Sequence, residues 1–98
     1  MISKRRLLEA AKHHADAVIA VESWYAIAMK ANWTCLEDVR RTYSHADPVG
    51  TCTVFNIKGN RYRLVVKIFY RGGQVYFKRL LTHAEYSKEN WKHECATV

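Results

Sequence analysis

The sequence predicts an α+β domain in which N-terminal helices pack on a C-terminal three-stranded antiparallel meander. Between residues 52 and 86, turns at Gly59-Asn60 and Gly72-Gly73 separate stretches of alternating apolar and polar residues, which is typical of two consecutive β-hairpins. A T-x-x-E capping box starting at Thr82 then predicts a short C-terminal helix. The residues before the sheet show the spacing of amphipathic helices instead.

The first turn sets a register that divides the hairpin into two faces. With Gly59-Asn60 as the loop, Asn56 pairs with Arg63. Lys58 then faces Arg61, and because like charges opposite each other destabilise a sheet, this pair is expected to cost stability unless an anion lies over it. The apolar face carries Phe55, Ile57, Tyr62, Leu64, Val66 and Ile68. The cationic face carries Asn56, Lys58, Arg61, Arg63 and Lys67.

The second turn extends both faces onto a third strand. With Gly72-Gly73 as its loop, Lys67 faces Lys78 on the cationic side. The same register puts Arg79 on the apolar face, and we interpret this as an edge position from which its guanidinium reaches water.

Three helices are predicted before the sheet, each from a capping residue followed by apolar residues at helical spacing. They cover residues 4–14 after Ser3, residues 17–32 after Asp16, and a short helix that ends near Tyr43 after a second capping box at residues 34–37. The second helix is expected to lie across the sheet, with Trp24 and Trp33 as core or interface anchors. Residues 44–51, which contain the only proline, are predicted to be a loop. Met1 and Ile2 are too few to assign, and the end of a short N-terminal edge strand is an alternative that they leave open.

Length and hydropathy predict a single domain over residues 1–98. Of the 98 residues, 49% are hydrophobic, which is enough for one core, and no repeat, linker or low-complexity stretch divides the chain. The apolar helix at residues 17–32 is too short and, with Glu22 and Lys30, too charged to span a bilayer, so no membrane association is expected.

The positive charge is concentrated in the hairpins. The chain has a net charge of +7 and a pI near 9.5. Residues 55–88 contain eight Lys or Arg and one acid, Glu85, whereas residues 1–54 contain seven basic and six acidic residues. This imbalance favours a polyanionic partner, through counterion release from phosphates. The alternative is a basic surface that serves solubility alone.

The cysteines and histidines predict neither a disulfide nor a metal site. Cys35, Cys52 and Cys95 are odd in number, have no C-x-x-C spacing and follow no secretory signal, which indicates free thiols in a reducing, cytoplasmic setting. His93 and Cys95 are expected to lie in a frayed, solvated tail. No histidine or cysteine spacing suggests a metal ligand set, and no cofactor is predicted.

Two motifs resemble those of a known family. The stretches N-I-K-G-N-x-Y-R-L from Asn56 and T-H-x-E-Y from Thr82 are similar to the HigB-type toxins of the RelE/ParE superfamily, with further matches at residues 22–33, 36–40 and 47–50. The resemblance implies a RelE-like fold and a metal-independent mRNA endoribonuclease that usually acts on the ribosome. It also implies neutralisation by a cognate antitoxin, a helix-turn-helix protein of the HigA type.

The resemblance also assigns site residues. The catalytic side chains of the superfamily fall on Asn56, Lys58, Arg63, His83 and Tyr86. In better-known RelE relatives a lysine stands at the first of these positions and an arginine at the fourth. We therefore predict that the catalytic residues are Lys58, Arg63, His83 and Tyr86. The residues predicted to bind RNA are Asn56, Arg61, Lys67 and Lys78.

Residue chemistry supports the same assignment. Cleavage by attack of the 2′-OH needs a group that activates this hydroxyl, a cation for the phosphorane and an acid for the departing 5′ oxygen. Arg63 is always charged and can bind two phosphate oxygens at once. His83 carries an imidazole, the side chain best suited to act as acid or base near neutral pH. Lys58 is expected to act as a base or a further electrostatic clamp, and Tyr86 to hold the 2′-OH or to stack on a base.

Two other function classes are compatible with the same residues. A ParE-like toxin would inhibit DNA gyrase without cutting RNA, so transcripts would stay intact while DNA breaks accumulate. A non-catalytic basic RNA-binding domain would be harmless when overexpressed. A ribonuclease toxin would instead arrest growth unless Arg63 or His83 were replaced.

Overall fold

Within the described residues, four antiparallel strands form a single sheet in the order of the chain. The computed structural model describes residues 4–59, 61–88 and 90–95. The strands are β1 (Asp47–Val49), β2 (Cys52–Ile57), β3 (Tyr62–Phe69) and β4 (Gln74–Thr82). The α+β class is confirmed, but the prediction of a three-stranded meander is wrong by one strand.

The additional strand β1 lies in the segment predicted to be a loop. Val49 pairs with Cys52, and the chain reverses between them at Gly50, which has a φ of +57°. A positive φ is strained for residues with a side chain, so glycine makes this turn possible. Pro48 is tolerated because β1 is an edge strand. A three-residue strand leaves almost no alternation in the sequence, which is why the pattern did not indicate it.

The helices follow in the predicted order. They are α1 (Lys4–Lys12), α2 (Val18–Lys30), α3 (Leu36–Thr42) and α4 (His83–Ser87), with two 3₁₀ helices at Ala15–Ala17 and Asn90–Cys95. The predicted cap at Ser3 and the alternative edge strand at Met1 and Ile2 lie outside the described residues. The longest α-helix of the described ranges has 13 residues, and no helix there combines the length and apolarity that crossing a bilayer requires.

The side-chain caps predicted for α2 and α3 are wrong. Asp16 does not cap α2, because its carboxylate is turned toward β3. Before α3, Thr34 donates both its N–H and its hydroxyl to Asp38 Oδ2, at 2.9 and 2.6 Å. The carboxylate that binds Thr34 at this helix start is therefore that of Asp38, and not that of Glu37, which the capping-box spacing indicated.

The register predicted for the first hairpin is confirmed. Asn56 pairs with Arg63, and Ile57 pairs with Tyr62. An anion also lies over the cations of the turn, as the like-charge argument requires. Asp16 Oδ2 is 3.7 Å from Lys58 Nζ and 3.0 Å from an Arg61 guanidinium nitrogen.

Asp16 ties this turn to the helical layer. Its Oδ1 accepts a hydrogen bond from the Tyr62 hydroxyl at 2.5 Å, and Tyr62 belongs to the apolar face of the sheet. This hydrogen bond is the largest cause of a lowered pKa at Asp16, followed among the favourable contacts by those with Arg61 and Lys58. One exposed carboxylate thus stabilises the only like-charge pair that the sequence identified in the first hairpin.

The Asp16→Asn variant is expected to be less stable than the wild type at neutral pH, because it removes the anion from beside two cations. The pKa of Asp16 in the folded protein lies below its ordinary value of 3.8, so its contribution is present above that value and is lost as the pH falls through the folded pKa. Urea unfolding midpoints should therefore differ at neutral pH and converge in strong acid.

Glu9→Gln is the matched control for this prediction. Glu9 pairs with Arg5 at 3.2 Å on an exposed side of α1, and an exposed pair of this kind contributes little. Equal midpoints for the wild type and Asp16→Asn at neutral pH would contradict the role given to the carboxylate.

The register predicted for the second hairpin is wrong. The turn occupies residues 70–73 rather than Gly72-Gly73 alone, so Lys67 pairs with Tyr76 instead of Lys78. Two glycines fit a four-residue turn as well as a two-residue one, and the sequence does not distinguish them. Every predicted pair between β3 and β4 is shifted as a result.

A β-bulge in the same hairpin explains why Arg79, a charged residue, fell on the apolar face of the predicted register. Val66 pairs with Phe77 and Val65 pairs with Arg79, so Lys78 is the extra residue. A bulge reverses the side-chain alternation beyond it. The register therefore pairs Arg79 with Val65 rather than with a residue of the apolar face, so that part of its predicted placement is wrong. Its predicted position at a sheet edge, exposed to water, is confirmed, because β4 is an edge strand and Arg79 is exposed.

The main core lies between the helices and the apolar face of the sheet. The predicted apolar residues Phe55, Ile57, Tyr62, Leu64 and Val66 are buried in it, and Ile68 packs against it. Trp24 and Trp33 are buried beside Phe55, with ring centroids 5.3 and 6.0 Å from its ring. Their predicted role as core anchors is confirmed.

A second, smaller core covers part of the opposite face of the sheet. We call this face, which carries Asn56, Arg63 and Lys67, the second face. The 3₁₀ helix Asn90–Cys95 packs onto this face, and we call it the C-terminal helix. The buried members of this core are Cys52, Val54, Val65, Leu81, Trp91 and Cys95.

A disulfide joins the C-terminal helix to β2. Cys95 is bonded to Cys52, and the Cys95 carbonyl accepts a hydrogen bond from the Thr51 N–H at 2.8 Å. The prediction of free thiols is therefore wrong for these two cysteines, and Cys95, at 1% exposure, does not lie in a solvated tail. Cys35 is free and exposed.

Candidate active site

A polar cleft of about 350 Å³ opens on the second face, beside the second core. Its walls come from α3 and the segment that follows it, from strands β1, β2 and β3, and from α4. The lining residues are Arg40, Ser44, His45, Ala46, Asp47, Val54, Asn56, Arg63 and Tyr86. Asn56 and Arg63 are cross-strand partners, which places their side chains next to each other on this face.

Arg63 and Tyr86 are in contact within the cleft. The guanidinium carbon of Arg63 lies 5.2 Å from the centre of the Tyr86 ring, within cation–π range. The Tyr86 ring stacks on Trp91, with centroids 5.0 Å apart and planes 22° apart. Trp91 Nε1 in turn donates to the Tyr86 carbonyl at 2.9 Å. These contacts restrict the rotamers of Arg63 and Tyr86, so the cation is held in place before any ligand arrives.

Thr82 ends β4 and caps α4, and this helix start places Tyr86 in the cleft. Glu85 Oε1 accepts from the Thr82 N–H at 2.9 Å, and Thr82 Oγ1 accepts from the Glu85 N–H at 3.2 Å, which confirms the predicted capping box. The bond from the Thr82 N–H is the main cause of a lowered pKa at Glu85. The His83 N–H also donates to the Arg61 carbonyl at 3.0 Å and so fixes the start of α4 beside the residue that precedes β3.

Lys58 and Arg61 lie at the hairpin turn rather than in the cleft. Both contact Asp16, on the helical side of the sheet. Lys58 has a φ of +51°, and this conformation breaks the alternation by which it was assigned to the cationic face. The structure brings Asn56, Arg63 and Tyr86 together and leaves Lys58 outside the group.

Three other predicted residues also lie away from the cleft lining. His83 is exposed in the first turn of α4. Lys67 is half-buried on the second face, opposite Tyr76. Lys78 is half-buried and lines a different cleft of about 480 Å³, against α1, together with His13.

Arg40 and His45 line the cleft although the sequence analysis did not single them out. Arg40 Nε donates to the Ala46 carbonyl at 3.1 Å, which ties α3 to the segment before β1. The His45 ring is exposed and lies 6.2 Å from the ring of Tyr43. The only local signal was a histidine in a connecting segment just before the Asp47-Pro48 pair, and such segments often carry functional side chains.

The charges of the cleft suit an anionic ligand. Two guanidinium groups and an imidazole face one carboxylate, that of Asp47. The amide of Asn56 adds neutral hydrogen-bonding groups. In the described part of the chain, no three His, Cys, Asp or Glu side chains are grouped so that they could hold a metal ion.

Comparison with known proteins identifies the family. A search of curated proteins finds no significant match. The sequence model of one family, described as HigB toxin, the RelE-like toxic component of a toxin-antitoxin system, matches residues 17–89. This span covers most of the chain and includes Asn56, Arg63 and Tyr86, and membership implies an antitoxin partner. The chain thus belongs to the HigB toxins, the RelE-like toxic components of toxin-antitoxin systems.

Proposed function

We propose that the protein is an mRNA endoribonuclease that acts in the cytoplasm on mRNA at the ribosome and is neutralised by a HigA-type antitoxin. The observation that carries the proposal is the contact between Arg63 and Tyr86, at 5.2 Å, in a cleft that also contains Asn56. A guanidinium held beside a hydroxyl and an amide suits the oxygens of a phosphodiester. Membership of a toxin family supports the same reading.

The proposed reaction is a transesterification at the scissile phosphate. The 2′-OH attacks phosphorus, the bond to the 5′ oxygen breaks, and the products carry a 2′,3′-cyclic phosphate and a 5′-OH. Negative charge grows on the two non-bridging oxygens, and the planar guanidinium of Arg63 can bind both. The proton lost by the 2′-OH and the proton gained by the 5′ oxygen balance, so the step needs no further reactant.

Tyr86 acts through its hydroxyl in this scheme. Trp91 stacks on the ring and Arg63 lies over it, so protein groups already take the contacts that a nucleobase would make. Of the two roles considered from the sequence, holding the 2′-OH is therefore favoured over stacking. Lys58 and Arg61 would reach RNA phosphates only by exchanging their contact with Asp16.

Two histidines are candidates for the proton transfers. His83 is the sequence-based assignment and stands three residues before Tyr86, in the exposed first turn of α4. His45 lines the cleft itself. Since an acid or base must lie within hydrogen-bonding reach of the proton that it moves, we propose His45 for this role, with His83 contacting flanking RNA.

The His45→Gln variant is expected to lower the single-turnover rate of mRNA cleavage by about 10²-fold or more, because glutamine cannot exchange a proton near neutral pH. It should also weaken the pH dependence of that rate near neutral pH, because it removes the imidazole as a proton donor or acceptor. His83→Gln is the matched comparison, and we expect it to change the rate less than tenfold. A larger loss in His83→Gln than in His45→Gln would return the role to His83.

Induced expression, followed by sequencing of 5′-OH RNA ends, tests the function itself. Growth arrest with new 5′-OH ends inside open reading frames is expected, and co-expression of the HigA-type antitoxin should reverse it. Intact transcripts with accumulating DNA breaks would contradict the proposal in favour of a gyrase inhibitor. Expression without growth arrest would contradict the nuclease proposal and favour a non-catalytic RNA-binding domain.

A further inference from the structure

The second face carries an exposed aromatic pair at its far end from the cleft. Phe69 is 51% exposed and Tyr76 is 43% exposed, and their rings pack edge to face with centroids 5.2 Å apart. They belong to neighbouring strands, because Lys67 pairs with Tyr76 and Phe69 pairs with Gln74. A diagonal aromatic pair of this kind keeps both rings in fixed orientations while leaving apolar surface open to solvent.

Both rings lie on the same side of the sheet as Arg63. Side chains alternate along β3, so Arg63, Lys67 and Phe69 share a face, and Tyr76 joins them as the partner of Lys67. Arg63 and Phe69 are six positions apart along β3, which is roughly 20 Å. The C-terminal helix covers the face between them and exposes Lys92 and His93. A single strand of RNA running from the cleft along β3 would cross these basic residues and reach the aromatic pair.

The positive charge around Phe69 and Tyr76 favours a polyanion over a protein as the ligand of this surface. No Asp or Glu occurs between Pro48 and Ala84, and the hairpin that carries the pair also carries Lys67 and Arg71. Exposed aromatic rings among cations are the usual means of binding single-stranded nucleic acid, since bases stack on the rings while the cations follow the phosphates.

The Tyr76 ring is further restrained by its own strand. Its hydroxyl donates a hydrogen bond to Gln74 Oε1. This bond restricts the ring without covering its face, so less rotamer freedom is lost when a base stacks on it. A restrained and half-exposed ring is a better stacking surface than a mobile one.

We propose that Phe69 and Tyr76 form a stacking platform for a base of the RNA strand that lies several nucleotides from the scissile phosphate, with Lys67 contacting the adjoining backbone. The inference rests on the proposed function for its ligand, and it adds a second contact region to the same RNA. The platform contributes binding energy and not chemistry, because it lies far from Arg63.

Equilibrium binding of a single-stranded 2′-O-methyl RNA tests the platform without cleavage, because the methyl group blocks the attacking oxygen. Tyr76→Ala and Phe69→Ala are each expected to weaken binding about five- to a hundredfold, the range seen for the loss of one stacked base. Tyr76→Phe keeps the ring and should bind like the wild type. The slope of affinity against salt should be unchanged in the alanine variants, because no phosphate contact is removed.

Ile19→Ala is the matched control, since Ile19 is 78% exposed on α2 and its truncation removes a comparable apolar surface elsewhere. Circular dichroism should show that all variants are folded. Wild-type affinity in both Tyr76→Ala and Phe69→Ala would overturn the platform. So would variants that keep RNA affinity and lose affinity for the antitoxin, because the pair would then be a protein-docking surface.

The two proposals fail in different ways. If cells that express the wild type show no RNA cleavage while Tyr76→Ala still weakens RNA binding, the nuclease proposal is wrong and the platform stands. If cleavage occurs and neither aromatic variant changes RNA affinity, the nuclease proposal stands and the platform is wrong.

Discussion

The Arg63→Ala variant is expected to cleave mRNA about 10²- to 10³-fold more slowly than the wild type and to cause no growth arrest. Arg63 lines the cleft, pairs with Asn56 in the first hairpin and contacts the Tyr86 ring. Its removal takes away the charge that faces the phosphorane, together with a cation–π contact worth about 0.5–1 kcal/mol and a hydrogen bond to the Tyr62 carbonyl at 3.4 Å. Single-turnover cleavage on translating ribosomes measures the rate, and circular dichroism checks the fold.

Two further variants give this experiment its controls. Arg5→Ala removes the same charge from the exposed side of α1, where Arg5 pairs with Glu9 at 3.2 Å, and should remain fully toxic. Arg63→Lys keeps the charge but not the planar fork that binds two oxygens, so its rate should fall between those of the alanine variant and the wild type. Cleavage by Arg63→Ala at the rate of Arg5→Ala would rule out Arg63 as the charge stabiliser.

The first hairpin could be predicted because its determinants are local. A glycine that takes a positive φ lies between two alternating stretches, and alternation alone then pairs Asn56 with Arg63. The same holds for α4, whose capping box needs only Thr82 and Glu85. These local rules were enough to place Arg63 and Tyr86, two of the four residues predicted to be catalytic, in one cleft.

The second hairpin could not be predicted because one inserted residue changes the face of all that follow. The bulge at Lys78 has no compositional mark, yet it moves Arg79 from the apolar face to the second face. The misfit of Arg79 in the predicted register was the one sign of it. A charged residue on an otherwise apolar face is therefore better explained by an irregular strand than by an exceptional side chain.

The remaining features depend on contacts between segments that are distant in sequence. Asp16 contacts Arg61 across 45 residues, and no local pattern around either residue predicts this contact. His45 enters the cleft only because β1 pairs with β2. Cys52 and Cys95 come together because the C-terminal helix folds back over the second face, which a count of cysteines cannot show.

Opening the Cys52–Cys95 disulfide is expected to lower the free energy of unfolding by about 4 kcal/mol in the loop-entropy account, since the bond closes a loop between residues 43 apart. The native structure should persist, because Trp91 stays buried and the Thr51 N–H still bonds the Cys95 carbonyl. Urea unfolding with and without reductant measures the loss. The slope of the unfolding free energy against urea should rise on reduction, because the unfolded chain can then expand.

The disulfide also bears on the site, because it holds the helix whose Trp91 supports Tyr86. Reduced protein, or Cys95→Ser, should therefore cleave more slowly under mild denaturing stress, as the C-terminal helix opens before the main core does. Cys35→Ser is the control, since Cys35 is free and exposed, and its behaviour should match that of the wild type with and without reductant. If reductant left the stability of the wild type unchanged, or if mass spectrometry of the purified protein found three free thiols, the bond would have no part in holding Tyr86.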